Sequence, residues 1–150
     1  MKDDNRSKEI NEARQAGQKA LYALRKAQEK LSSARNWGIW DMLGGGFLST
    51  VVKHSRINDA EVCMEDARRY LQIFQRELRD VEMPVEFRME IGDFLTFADF
   101  FFDGLIADWM VQSKIADARE QVEEAITRVQ GLLRTLDRLE DAIDVDYREV

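Results

Sequence analysis

The chain has 150 residues, of which 45% are hydrophobic and 34% charged, with one proline and a net charge of −7. This is too apolar for a disordered chain and too charged for a membrane span, and the length suffices for a single domain over residues 1–150 with a real core. The acidic balance, with no Lys/Arg stripe to offset it, argues against nucleic acid and anionic membranes as partners.

The first residues, Met1-Lys2-Asp3-Asp4-Asn5-Arg6-Ser7, lack the apolar stretch of a signal peptide. Cys63 is alone, with no partner for a disulfide and no metal-ligand spacing around it. Both features predict a cytoplasmic protein.

Three segments carry an apolar residue every three or four positions. The first runs Ile10, Ala13, Gly17, Ala20, Leu24, Ala27, Leu31, Ala34. The second runs Ile57, Ala60, Met64, Ala67, Leu71, Phe74, Leu78, Val81. The third runs Ile115, Ala118, Val122, Ala125, Val129, Leu132, Leu136, Leu139, Ile143. Such spacing holds one narrow stripe on one side of a helix, as in a coiled-coil seam. The pattern predicts an all-α fold, an elongated antiparallel helical bundle of coiled-coil character. Helix one spans about Ser7 to Arg35 and helix two about Gly46 to Asp80. A shorter helix spans about Asp93 to Phe102, with Asp93 as its N-cap, and the last helix reaches about Ile143.

Five of the eight positions in the first stripe are Ala or Gly, so this helix is expected to pack close to a neighbour. The charged residues between stripes, such as Glu61, Glu65, Asp66, Arg68 and Arg69, read as a solvated face.

The second and third stripes stand at a constant offset of 58 residues. Upstream, Gly46–Ala60 and Gly104–Ala118 share five identities in fifteen positions: Gly46/Gly104, Ser55/Ser113, Ile57/Ile115, Asp59/Asp117 and Ala60/Ala118. Asp41 and Asp99 share the offset too. Heptads alone account for the Ile and Ala matches but not for the aligned Gly, Ser and Asp. We read an internal duplication, with one copy at about 41–80 and the other at about 99–138.

The stretch between helices one and two, NWGIWDMLGGGF, is rich in aromatics and glycine, and its glycines are expected to break helix one. The corresponding stretch before the last helix, DFLTFADFFFDG, is richer still, and its interrupting acids disfavour a transmembrane helix. Between these stretches, Val81 to Ile91 alternates apolar and polar residues without a break. Period two predicts a short extended connector or an edge strand pairing with its copy in a dimer. A helix starting at Pro84 is the competing possibility.

The segments NWGIWDMLGGG, KHSRINDA and FLTFADFFFDGL–ADW–VQSKI resemble those of a group of uncharacterised bacterial all-helical proteins. The resemblance covers most of residues 30–120. It implies a bacterial source, and it carries no activity or functional residue.

Several chemistries were weighed. A di-iron bundle needs Glu-x-x-His on two helices. The one histidine, His54, has Val51 where the glutamate belongs, and its counterpart in the second copy is Gln112. A carboxylate site from Asp41, Asp99 and Asp103 would suit Mg or Ca, but these acids are expected to cap helices or face water. Gly44-Gly45-Gly46 lacks the Gly-Lys-Ser/Thr of a phosphate loop. Ser55 beside His54 is adjacency only, since helical neighbours point about 100° apart. No catalytic residue, cofactor or metal is therefore assigned.

The expected function is a non-catalytic interaction or scaffold protein acting on a protein partner or on itself as a homodimer. The alternative is a binding module for a small apolar molecule or lipid. Either would use the aromatic patch Trp37, Trp40, Phe47, Phe97, Phe100, Phe101 and Trp109.

Overall fold

In the computed structural model, the described backbone comprises residues 2–44, 47–100 and 115–149, with side chains described over 5–32, 59, 62–99 and 118–143. It holds four helices: α1 (Lys2–Gly44), α2 (Phe47–Asp80), α3 (Val85–Phe100) and α4 (Ile115–Glu149). No strand occurs among the described residues. Nor is any described helix long and apolar enough to cross a membrane.

α1 packs along both α2 and α4, and α3 packs along the same two helices from the opposite corner. All neighbours run antiparallel. Arg6 meets Glu82, and Gly17 lies against Phe74, which sets α1 against α2. Arg14 meets Asp137, and Gln28 meets Glu123, which sets α1 against α4. Gln75 reaches Leu95 and Asp99 on α3, while Glu90 of α3 reaches Thr135 and Arg138 on α4. Among the described residues, four helices surround the core at the level of α3 and three beyond it.

The three stripes form the core wherever their side chains are described. Ile10, Ala13, Ala20, Leu24, Ala27 and Leu31 of α1 meet Met64 to Val81 of α2 and Ala118 to Ile143 of α4. The small residues of α1 do what their size allows. A Cβ placed on Gly17 would lie 2.8 Å from Leu133 Cδ2 and 2.9 Å from Phe74 Cζ, so α2 and α4 both close on that point. Phe74 also stacks obliquely on Phe94 of α3, with centroids 5.4 Å apart, and this joins the shorter helix to the same core.

The expected connector over 81–91 is corrected. Only Val81–Pro84 is non-helical, and α3 starts at Val85. Proline is suited to the first turn of a helix because it has no N–H to leave unsatisfied. Its carbonyl accepts from Phe87 N at 3.1 Å and Arg88 N at 3.3 Å, starting the ladder. The alternation concealed a helical stripe: Phe87, Ile91, Phe94 and Ala98 turn inward at three- and four-residue steps, while Val85 and Met89 face water. Asp93 lies inside α3 as an exposed residue and is not a cap. Helix one runs past its expected end, through Gly38 to Gly44. One helical glycine costs about 1 kcal/mol relative to alanine, too little to end a long packed helix.

The last turn of α2 and the connector tuck Val81 and Met83 into the core and leave Glu82 and Pro84 outside. Buried Gln75, only 7% exposed, donates from Nε2 to Asp99 Oδ1 at 2.9 Å and to Leu95 O at 3.3 Å. That satisfies the amide and fixes the height of α3 against α2.

Candidate functional site

The aromatic patch expected from the sequence falls almost entirely outside the described side chains. Those of Trp37, Trp40, Phe47 and Phe100 are not described, and Phe101 and Trp109 lie outside the described backbone as well. The exception, Phe97, is half-buried against the core, 6.5 Å from the Phe94 ring, with the Arg128 guanidinium 4.4 Å above its face. His54 and Asp41 have no described side chain, and Asp103 is outside the described backbone. Asp99 is exposed and accepts from Gln75. No group of three or more His, Cys, Asp or Glu that could hold a metal occurs among the described residues.

The structure brings together a different set of residues, along the outer face of the α1–α2 pair. Lys19, Tyr22, Ala23 and Lys26 of α1 face Cys63, Asp66 and Tyr70 of α2 across an open groove. The groove continues downward between Glu12, Gln15 and Ala16 on one side and Ile73 and Glu77 on the other. Ala16 and Ala23 are buried and form a floor of small residues. Tyr22 stands at the rim with 69% of its surface in water.

In the upper groove the lysines lie on one helix and the aspartates on the other, with Arg69 over the Tyr70 ring on the α2 side and Glu12 on the α1 side lower down. Lys19, Lys26 and Lys30 lie on the α1 side, Asp59 and Asp66 on the α2 side. Lys26 Nζ sits 5.9 Å above the Tyr22 ring, and Asp66 pairs with Arg69 of its own helix at 3.4 Å. Among the described residues no ion pair crosses the groove. Cys63 opens half-buried onto it, and burial pushes its thiol pKa up against the opposing pull of Lys26 and Lys30. A raised pKa leaves little thiolate, so Cys63 is a poor nucleophile. The upper groove encloses about 180 Å³. The lower part holds about 220 Å³, so each part is below the roughly 300–1,000 Å³ of small-molecule pockets.

A second recess lies between α3 and α4, lined by Glu90, Gly131, Arg134, Thr135, Asp137 and Arg138. Its volume, about 610 Å³, would admit a small molecule, but its lining side chains are polar or charged. Glu90 Oε2 lies 2.9 Å from Thr135 Oγ1 and accepts from Arg138 at 2.9 Å. The Thr135 hydroxyl above all, and then the Arg138 guanidinium, hold the Glu90 carboxyl below its ordinary pKa. The arrangement is a polar clasp between two helices. Arg14 forms the matching clasp between α1 and α4, gripping Asp137 at 3.0 Å and Glu140. These pairs raise its pKa further, the Glu140 hydrogen bond most.

Sequence reasoning missed the groove because its positions carry Lys, Asp and Tyr and so read as a solvated face. The signal was a second set of three- and four-residue steps: Ala16, Lys19, Ala23, Lys26, Lys30 on α1 and Asp59, Cys63, Asp66, Tyr70, Ile73, Glu77 on α2. No family model, curated protein or solved structure matches this chain.

Proposed function

We propose that this chain is a non-catalytic helical interaction protein whose bundle offers a surface to another protein chain. The observation that carries this reading is the placement of large apolar side chains in water on a highly charged bundle: Tyr22 and Val62 on the α1–α2 face, Val85 and Met89 on α3. Large apolar side chains left in water amid charge are groups that a protein partner would cover. The test is native mass spectrometry of the purified chain. The bare protein, alone or assembled with protein, is the expected species. A stoichiometric small molecule retained on the chain would overturn the reading.

The second reading is an apolar-ligand module at the aromatic patch. Half-buried Phe97, stacked toward Phe94 at the end of α3, supports it, because it extends the apolar core toward residues 100–109, where Phe100, Phe101 and Trp109 lie in sequence.

Finer features belong to the same proposal. An internal duplication is supported by burial at matched positions of the 58-residue offset: Met64/Val122, Ala67/Ala125, Leu71/Val129, Phe74/Leu132, Leu78/Leu136 and Val81/Leu139. The seams support a coiled-coil-like packing, and the resemblance described above, together with the lone free cysteine, supports a bacterial cytoplasmic protein.

A further inference from the structure

The outer groove of the α1–α2 pair has the spacing of a seam, and among the described residues no third helix lies in it. In its upper part the rims differ in sign, with Lys19 and Lys26 along α1 and Asp66 along α2, where Arg69 pairs with Asp66 and stacks on Tyr70. The antiparallel pairing sets their heights. Lys26 stands level with Cys63 and Asp66, and Lys30 and Asp59 each lie one turn further toward the same end.

We propose that this groove closes on a second copy of the same chain, about a two-fold axis parallel to the bundle. It rests on the reading of this chain as an interaction protein. In this arrangement α1 of each copy lies over α2 of the other, and Lys26 meets Asp66 while Lys30 meets Asp59. Tyr22 and Tyr70 fill the centre, and the two grooves become one four-helix seam. The other simple two-fold, perpendicular to the helices, would lay α1 on α1 and lysine on lysine. Like charges brought together in this way are strongly disfavoured, so the sorted rims select the parallel axis.

The same geometry sets the extent and strength of the contact. From Ala16 to Lys30 the α1 stripe is about 21 Å long at 1.5 Å per residue. Two helices are roughly 20 Å wide, which gives about 400 Å² per copy. At the lower end the axis brings Glu12 of one copy near Glu77 of the other, both acidic, and the contact stops there. Such an area lies below that of permanent dimers, so the association is weak and concentration-dependent.

The test is sedimentation equilibrium of the full chain from micromolar to millimolar concentration. The expected result is a reversible monomer–dimer equilibrium. Lys26→Glu and Asp66→Lys should each weaken it about tenfold or more, because each creates two like-charge contacts per dimer. An equimolar mixture of the two variants should restore dimerisation, since both contacts then join opposite charges. Tyr22→Ser should weaken it as well, with helix content and melting temperature unchanged. A wild-type chain that stays monomeric throughout overturns the proposal, as does a mixture that fails to recover. A monomeric result would leave the interaction-protein reading intact for a different partner chain, whereas a small molecule found by native mass spectrometry would defeat that reading by itself.

Discussion

Helix α1 carries two stripes of nearly identical spacing, one closed and one open. Ala13, Gly17, Ala20, Leu24 and Ala27 are sealed between α2 and α4, while Ala16, Lys19, Ala23 and Lys26 run along the outer groove. Periodicity cannot distinguish the two. Chemistry at the intervening positions does: the closed stripe is apolar throughout, and the open one alternates alanine with lysine. A small residue flanked by apolar neighbours allows two backbones to approach. A small residue flanked by long cations makes a floor that remains in reach of solvent and of a further chain.

The severest way to break the closed side is Phe74→Ala. Phe74 is fully buried and touches both Gly17 and Phe94. The loss should be about 3–5 kcal/mol in chemical denaturation. Next, Ala20→Leu forces a large side chain into a sealed position and should cost on the order of 1–3 kcal/mol. A neutral outcome would show that the seam yields, and the contrast between the stripes would lapse.

The corner where α3 meets α4 sharpens the comparison, because it is held by polar contacts. Glu90→Gln should cost less than about 1 kcal/mol at neutral pH, since Glu90 is exposed enough for water to screen it. The folded state lowers this carboxyl's pKa, so the stabilisation is present above the ordinary carboxylate range and is lost as pH falls through the lowered value. The stability difference between wild type and variant should therefore shrink on acidification, and a constant difference would deny the clasp. Smallest of all, Lys19→Leu on the open stripe should change monomer stability by no more than about 0.5 kcal/mol. A large loss there would show that the outer groove is structural.

Much of the architecture was legible because the seams are. Every described position of the three stripes, from Ile10 to Ile143, is buried as its spacing requires. Val81–Ile91 was misread because Val85 and Met89, left in water on α3, filled in an alternation that the chain does not use. Only the three-residue step from Ile91 to Phe94 betrays the helix, and it falls at the edge of the alternating run. The groove was missed for a different reason. Its positions carry lysine, aspartate and tyrosine, residue types that read as a solvated helix face. The aromatic patch was singled out on composition, and of its seven residues only Phe97 has a described side chain.

The Arg14 clasp also bears on the order of assembly. Its partners lie 123 and 126 residues further along the chain, whereas two residues separate α1 from α2. Closing a long loop costs more entropy than closing a short one, and a ribosome delivers α4 last. Both effects favour pairing of α1 with α2 before α4 docks, with the inner alanine stripe still wet along the side that α4 will cover. During that interval the nascent chain presents both faces of α1 at once, and arrival of the C-terminal helix is the step that distinguishes inside from outside.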